Sequence, residues 1–247
     1  MNNMNMLLAA PEFWVLIMAC VILCVDLFLD KERRGIIHML AMLTLVFAAI
    51  ITLRADYSSA DAASAVAFNG TFIRDQMGDM LKLFSFLVLG LVYIYAKFNL
   101  REFRMFRADF YTMSLFALLG VMLLISANSL VMIYLGLELI SLSSYALVAF
   151  DRDSPRGSEA AMKYFVLGSM ASGMLLYGMS MIYGATGTVD LYQVADAVKV
   201  LGSDDLMLIF GLVFLVVGLA FKLGVVPFHM WIPDVYHGAP VAVTLFI

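Results

Sequence analysis

The sequence predicts an all-α, polytopic transmembrane helical bundle, and three observations carry that expectation. The chain has too little polar surface to coat a soluble globule, it repeats apolar runs of membrane-crossing length, and its basic residues alternate between connectors. Hydrophobic residues fill 64% of the 247 positions and charged residues only 14%. With a mean hydropathy of +0.97, that balance lies outside the range of soluble domains. A net charge of -4 without a basic stripe excludes nucleic acid as a partner. A lipid bilayer is the expected surrounding.

A hydrocarbon core of about 30 Å requires roughly 20 apolar residues of helix. Such runs fall at 13–29, 36–53, 80–96, 111–127, 130–150, 159–183 and 206–223, and an eighth begins near Val241. The first run is expected to be retained as a span, because no Lys or Arg precedes it and no small-residue cleavage site closes it. Cys20 and Cys24, one turn apart within it, read as lipid-facing or packing residues rather than disulfide or zinc partners. Two connectors are long. Residues 54–79 include TFIRDQM, whose alternation suits a strand or hairpin, and 184–205 include LYQVADAVKVL, an amphipathic surface helix.

Orientation follows from the short connectors. Those after odd-numbered spans hold Lys31, Arg33, Arg34, Lys97, Arg101, Arg104, Arg107, Arg152 and Arg156, against Arg54, Arg74 and Lys199 on the other side. The bias places the N-terminus outside and the odd connectors in the cytoplasm.

Three charges sit where hydrocarbon should be. Glu138 lies mid-span, where a carboxylate costs about 2.5 to 3.5 kcal/mol, so it must be protonated, hydrated or paired. In the following span Ser154 reads as an N-cap and Pro155 as the first helical residue. Lys163 then lies about 12 Å from the cytoplasmic end and Glu138 about 20 Å, a gap that a lysine stem and one water could bridge. An ion pair that merely joins two helices is the competing account.

The third charge, Lys222, precedes an expected break at Gly224 and Pro227, inside the membrane because the run before it is too short to cross alone. Irregular backbone at that depth needs protein or a water-filled cavity over it. A lysine held there can lose and regain its proton. His229 could pass protons on, or could simply bond the carbonyls the proline frees. Lys82, near a helix end, reads as a snorkelling side chain. Trp14, Tyr111, Tyr134 and Trp231 read as interface anchors, and Gly168, Ser172, Gly173, Gly178 and Gly184 as close-contact positions.

The blocks FKLGVVPFHMWIPDVYHGAP around Lys222, LGLELISLSSYALVAF around Glu138 and SEAAMKYFVLGSMASGMLLYG around Lys163 closely resemble one family. It comprises the antiporter-like subunits of proton-pumping NADH:quinone oxidoreductase, respiratory complex I, and the large subunits of multisubunit cation/proton antiporters. The resemblance runs over about 110–246, and Tyr236 with the VPFH start is most similar to its N-subunit branch.

The resemblance implies that residues 1–108 are three N-terminal helices with an external loop. Residues 109–247 are then a first repeat with a broken helix 7, within a family fold of about fourteen helices built from inverted repeats. It implies proton translocation by Glu138, Lys163, Lys222 and His229, coupled to electron transfer from NADH to quinone in other subunits. No cofactor or metal is expected on this chain, since no GxGxxG, CxxC or paired-histidine pattern exists to hold one. NADH, FMN, iron-sulfur clusters and quinone belong to the other subunits. Other membrane-arm subunits are the implied partners, and the bacterial inner membrane, rather than the mitochondrial one, is the implied location. A cation/proton antiporter subunit is the alternative function. Because the chain stops at Ile247, before the second repeat, an incomplete chain is expected.

Overall fold

A computed structural model describes residues 6–29, 35–54, 64–102, 108–151, 153–202 and 204–247. Its helices are α1 (Ala10–Asp26), α2 (Gly35–Leu53), α3 (Gln76–Glu102), α4 (Ala108–Ile125), α5 (Leu130–Val148) and α6 (Pro155–Thr186), followed by α7 (Leu191–Leu201), α8 (Leu206–Lys222), α9 (Trp231–Gly238) and α10 (Val241–Phe246). All seven apolar runs are helical. Among the described residues five helices are long and apolar enough to cross a membrane; α1 and α8, at 17 residues each, reach about 25 Å.

Local sequence explains where the helices start. Ser129, Ser154 and Asp205 cap α5, α6 and α8 by accepting from Met132 N, Gly157 N and Leu208 N, each satisfying a donor the helix cannot. Pro155 opens α6, where its missing N–H costs nothing. At 32 residues, α6 is about 48 Å long and outruns the hydrocarbon.

The 54–79 connector contains the expected hairpin. Strands β1 (Ser64–Ala67) and β2 (Phe72–Asp75) pair antiparallel, with Ala67 opposite Phe72. This hairpin is laced to two other connectors. Ile73 N donates to Ser126 O at 2.9 Å and Asn128 N to Thr71 O at 2.9 Å, while Leu130 N donates to Val189 O and Leu191 N to Asn128 O. The connectors after spans two, four and six therefore meet on one face. On the other, Arg156 reaches His237 at 3.5 Å. That agrees with the alternation in the sequence, but residues 31, 33, 34, 104, 107 and 152, which carry most of the orientation argument, lie outside the described residues.

Packing is closest between α6 and α8. A Cβ on Gly178 would come within 2.7 Å of the Gly211 carbonyl and one on Gly211 within 3.1 Å of the Gly178 carbonyl, so only glycines admit the two backbones. Gly173, expected to do the same, has nothing within 4 Å. Cys20 and Cys24 are exposed and free, and α7 lies on the surface without a buried residue. Tyr111 and Trp231 are buried at 0% and 6% exposure, so they are core residues rather than interface anchors.

Candidate proton-transfer site

The site is built where α5, α6 and the end of α8 meet. On α5, Glu138, Ser141 and Tyr145 are spaced three and four residues apart and so share one face. Gly168 of α6 leaves room for the Tyr145 ring, whose hydroxyl a Cβ there would overlap. Four residues later on the same α6 face comes Ser172. Serine therefore meets carboxylate across the α5–α6 seam.

Lys222 enters as the last residue of α8, and glycine rather than proline ends that helix. Gly224 has φ 63°; Val225 N returns to Ala220 O at 2.9 Å and Gly224 N to Phe221 O at 3.0 Å, the Schellman arrangement. The Phe221 carbonyl also accepts from Trp231 Nε1 at 3.1 Å. The Ala220 and Phe221 carbonyls at the end of α8 are thus taken. A Cβ at Gly224 would overlap Ile232 as well as requiring the disfavoured φ. The ammonium group sits at the negative end of the α8 dipole, which suits a cation.

The lysine Nζ donates to Ser141 Oγ at 2.5 Å, to Ser172 Oγ at 2.9 Å and to Glu138 Oε1 at 3.4 Å. Ser172 Oγ in turn donates to Glu138 Oε1. The Lys222 and Glu138 side chains are 12% and 21% exposed. Beyond the pair, Lys222 borders a cavity of about 400 Å³ whose polar lining includes Ser85, Ser144 and Tyr164. Tyr164 stacks on Trp231 with ring centroids 4.6 Å apart, so the segment after the break is one wall of the site.

Lys163 is elsewhere. It pairs with Glu159 and Asp234 at 2.9 Å each, and its side chain is 47% exposed. The expected Glu138–Lys163 pair is replaced by Glu138–Lys222, because Lys163 precedes Ser172 by nine residues and so points to the opposite side of α6 at about 100° per residue. His229 Nδ1 is buried without a hydrogen-bond partner among the described residues; it does not bond the carbonyls at the break. Ser141 and Ser172 were missed as polar partners, although the three-residue and four-residue spacings on each helix signal them. Among the described residues no group of three or more His, Cys, Asp or Glu is placed to hold a metal ion.

A second buried charge cluster was also missed. Lys82, expected to snorkel, is 0% exposed and pairs with Glu12 at 2.7 Å and Asp79 at 3.8 Å. Arg74 holds Asp79 at 2.9 Å and donates to the Leu8 and Thr52 carbonyls.

Residues 127–247 match the family described as NADH:quinone oxidoreductase/Mrp antiporter, transmembrane. Over 238 residues the chain is 51% identical to NADH-quinone oxidoreductase subunit N of Thioalkalivibrio sulfidiphilus, covering 96% of this chain and 49% of the relative. Residues 127–247 belong to the NADH:quinone oxidoreductase/Mrp antiporter family. Subunit N of Methylovorus glucosotrophus is 50% identical over 239 residues, 97% of this chain and 49% of the relative. The chain spans about half the length of the curated relatives it matches. Among solved structures, a chain of respiratory complex I from Thermus thermophilus with bound Aureothin superposes with a TM-score of 0.76 at 29% identity, over 96% of this chain and 49% of that one. The archaeal membrane-bound sulfane sulfur reductase shares the fold, with a TM-score of 0.79 at 22% identity over 96% of this chain and 49% of that one. Within the antiporter-like fold, the break after Lys222 falls inside the matched region.

Proposed function

We propose that this chain is a membrane-arm subunit of an NADH:quinone oxidoreductase that moves protons across the bacterial inner membrane, its N-terminus outside. Electron transfer from NADH to quinone takes place in other subunits, which hold the FMN, iron-sulfur clusters and quinone; this chain binds none of them. The observation that carries the reading is a largely enclosed lysine at a helix break, held against a mid-span carboxylate on one side and bordering, on the other, a mainly apolar cavity to which Ser85, Ser144 and Tyr164 contribute hydroxyls.

The chemistry is electrostatic. While Glu138 is charged and close, it holds the proton on Lys222. A charge displacement passed along the membrane arm separates the pair, and the proton leaves toward the cavity, where water has polar partners to bond. Re-forming the pair reloads the lysine. Lys163 and His229 act in this account on the intake side, at the surface shared by α6 and α9. The test is Lys222→Met or Glu138→Gln in the complete complex. Proton translocation and the coupled quinone reduction should fall about tenfold, equivalent to about 1.4 kcal/mol in the barrier. Unchanged rates overturn the reading.

The family description also names antiporters, which supports a second reading, a subunit of a multisubunit cation/proton antiporter driven by ion gradients. Co-purification separates the two. Flavin and iron-sulfur proteins travel with the first, small membrane proteins alone with the second.

A further inference from the structure

We propose that the Ser172 hydroxyl carries the proton between Lys222 and Glu138, a step that rests on the proton-translocation reading above. The two charged groups are 3.4 Å apart, too far for a short direct hydrogen bond. Ser172 fills that gap. Its Oγ accepts from Lys222 Nζ at 2.9 Å and donates to Glu138 Oε1, so one hydroxyl is acceptor toward the amine and donor toward the carboxylate.

Transfer then needs no movement of either charged side chain. One N–H bond of the ammonium breaks as a new O–H bond forms on Oγ; the original Oγ–H bond breaks as Oε1–H forms. The products are a neutral amine, a serine hydroxyl and a neutral carboxylic acid, with atoms and charge conserved. When the hydroxyl reverses direction the acid returns its proton to the neutral amine, which then passes a proton to water in the cavity beside Lys222.

Ser141 looks equivalent and is not. It accepts from Nζ at 2.5 Å, but its own proton is committed to the Leu137 carbonyl at 2.7 Å. It can position the ammonium group and cannot hand a proton to Glu138. Both serines are 4% exposed, so bulk water does not substitute for either.

The test compares Ser172→Thr with Ser172→Val in the complete membrane-embedded complex. The two replacements have nearly the same shape, so packing defects are common to both and only threonine keeps the hydroxyl. Per assembled complex, the valine variant should translocate protons about tenfold more slowly than the threonine variant, and Ser141→Ala should retain more activity than Ser172→Val. Equal rates for valine and threonine, or a larger loss at Ser141, overturn the proposal. Lys222→Met serves as the reference. If it is impaired while Ser172→Val matches Ser172→Thr, the relay fails and the translocation reading stands; if it is unimpaired, both fail.

Discussion

Two lysines lie inside this bundle, and their surroundings differ in a way that separates a structural charge from a working one. Lys82 touches its carboxylate partner Glu12 directly, at 2.7 Å, with Asp79 and the Asp79-bound Arg74 closing the group. Lys222 meets Glu138 at 3.4 Å, chiefly through serine hydroxyls. The groove beside Glu12, about 220 Å³, is otherwise lined by apolar side chains such as Phe13, Leu16, Phe68 and Phe72, which offer water no hydrogen-bond partners. The cavity beside Lys222 carries hydroxyls. Burial alone therefore does not mark a proton-transfer group; a movable hydrogen-bond partner and a polar exit do.

The comparison can be broken most forcefully at Lys82. Lys82→Met leaves Glu12 and Asp79 buried with one cation fewer, which costs about 3 to 5 kcal/mol when a buried pair is broken. The yield of assembled complex and its thermal stability should both fall sharply. The double replacement Glu12→Gln with Lys82→Met should recover part of that loss, as coupled neighbours do. Lys222→Met should disturb assembly less, because Ser172 remains to satisfy Glu138, while its effect falls on translocation. A still smaller stability effect belongs to Gly224→Ala, where the positive φ costs about 1 to 2 kcal/mol and Ile232 must give way. Translocation should drop with it, since the Schellman turn sets the Lys222 position. Lys163→Gln should change thermal stability least of all, its ion pairs being solvent-exposed, and a drop in translocation without one would place it on the proton path.

Much of this was legible from the residues. Position along a helix follows from residue count, so the seven apolar helices, with Glu138 near the middle of α5 and Lys222 at the end of α8, were readable from apolar run lengths. The hairpin at 64–75 and the surface helix α7 followed from their alternation and amphipathic spacing. Azimuth was the missing coordinate. Lys163 has a depth compatible with Glu138 but the wrong face of α6, and nothing in one sequence says which face meets α5. The Glu12–Lys82 contact, between residues 70 positions apart, left no local signal at all. At the break, Gly224 and Pro227 were both readable, and it is Gly224 whose left-handed conformation closes α8 while the proline lies past the cap.

The central claim is that the Glu138–Lys222 pair exchanges protons and the Glu12–Lys82 pair does not. Its most direct test is NADH-driven proton translocation per assembled complex, in Lys222→Met and in the Glu12→Gln, Lys82→Met double variant. The account predicts a fall of about tenfold in the first and a wild-type rate in the second. A wild-type rate in Lys222→Met, or an equal fall in both, would contradict it.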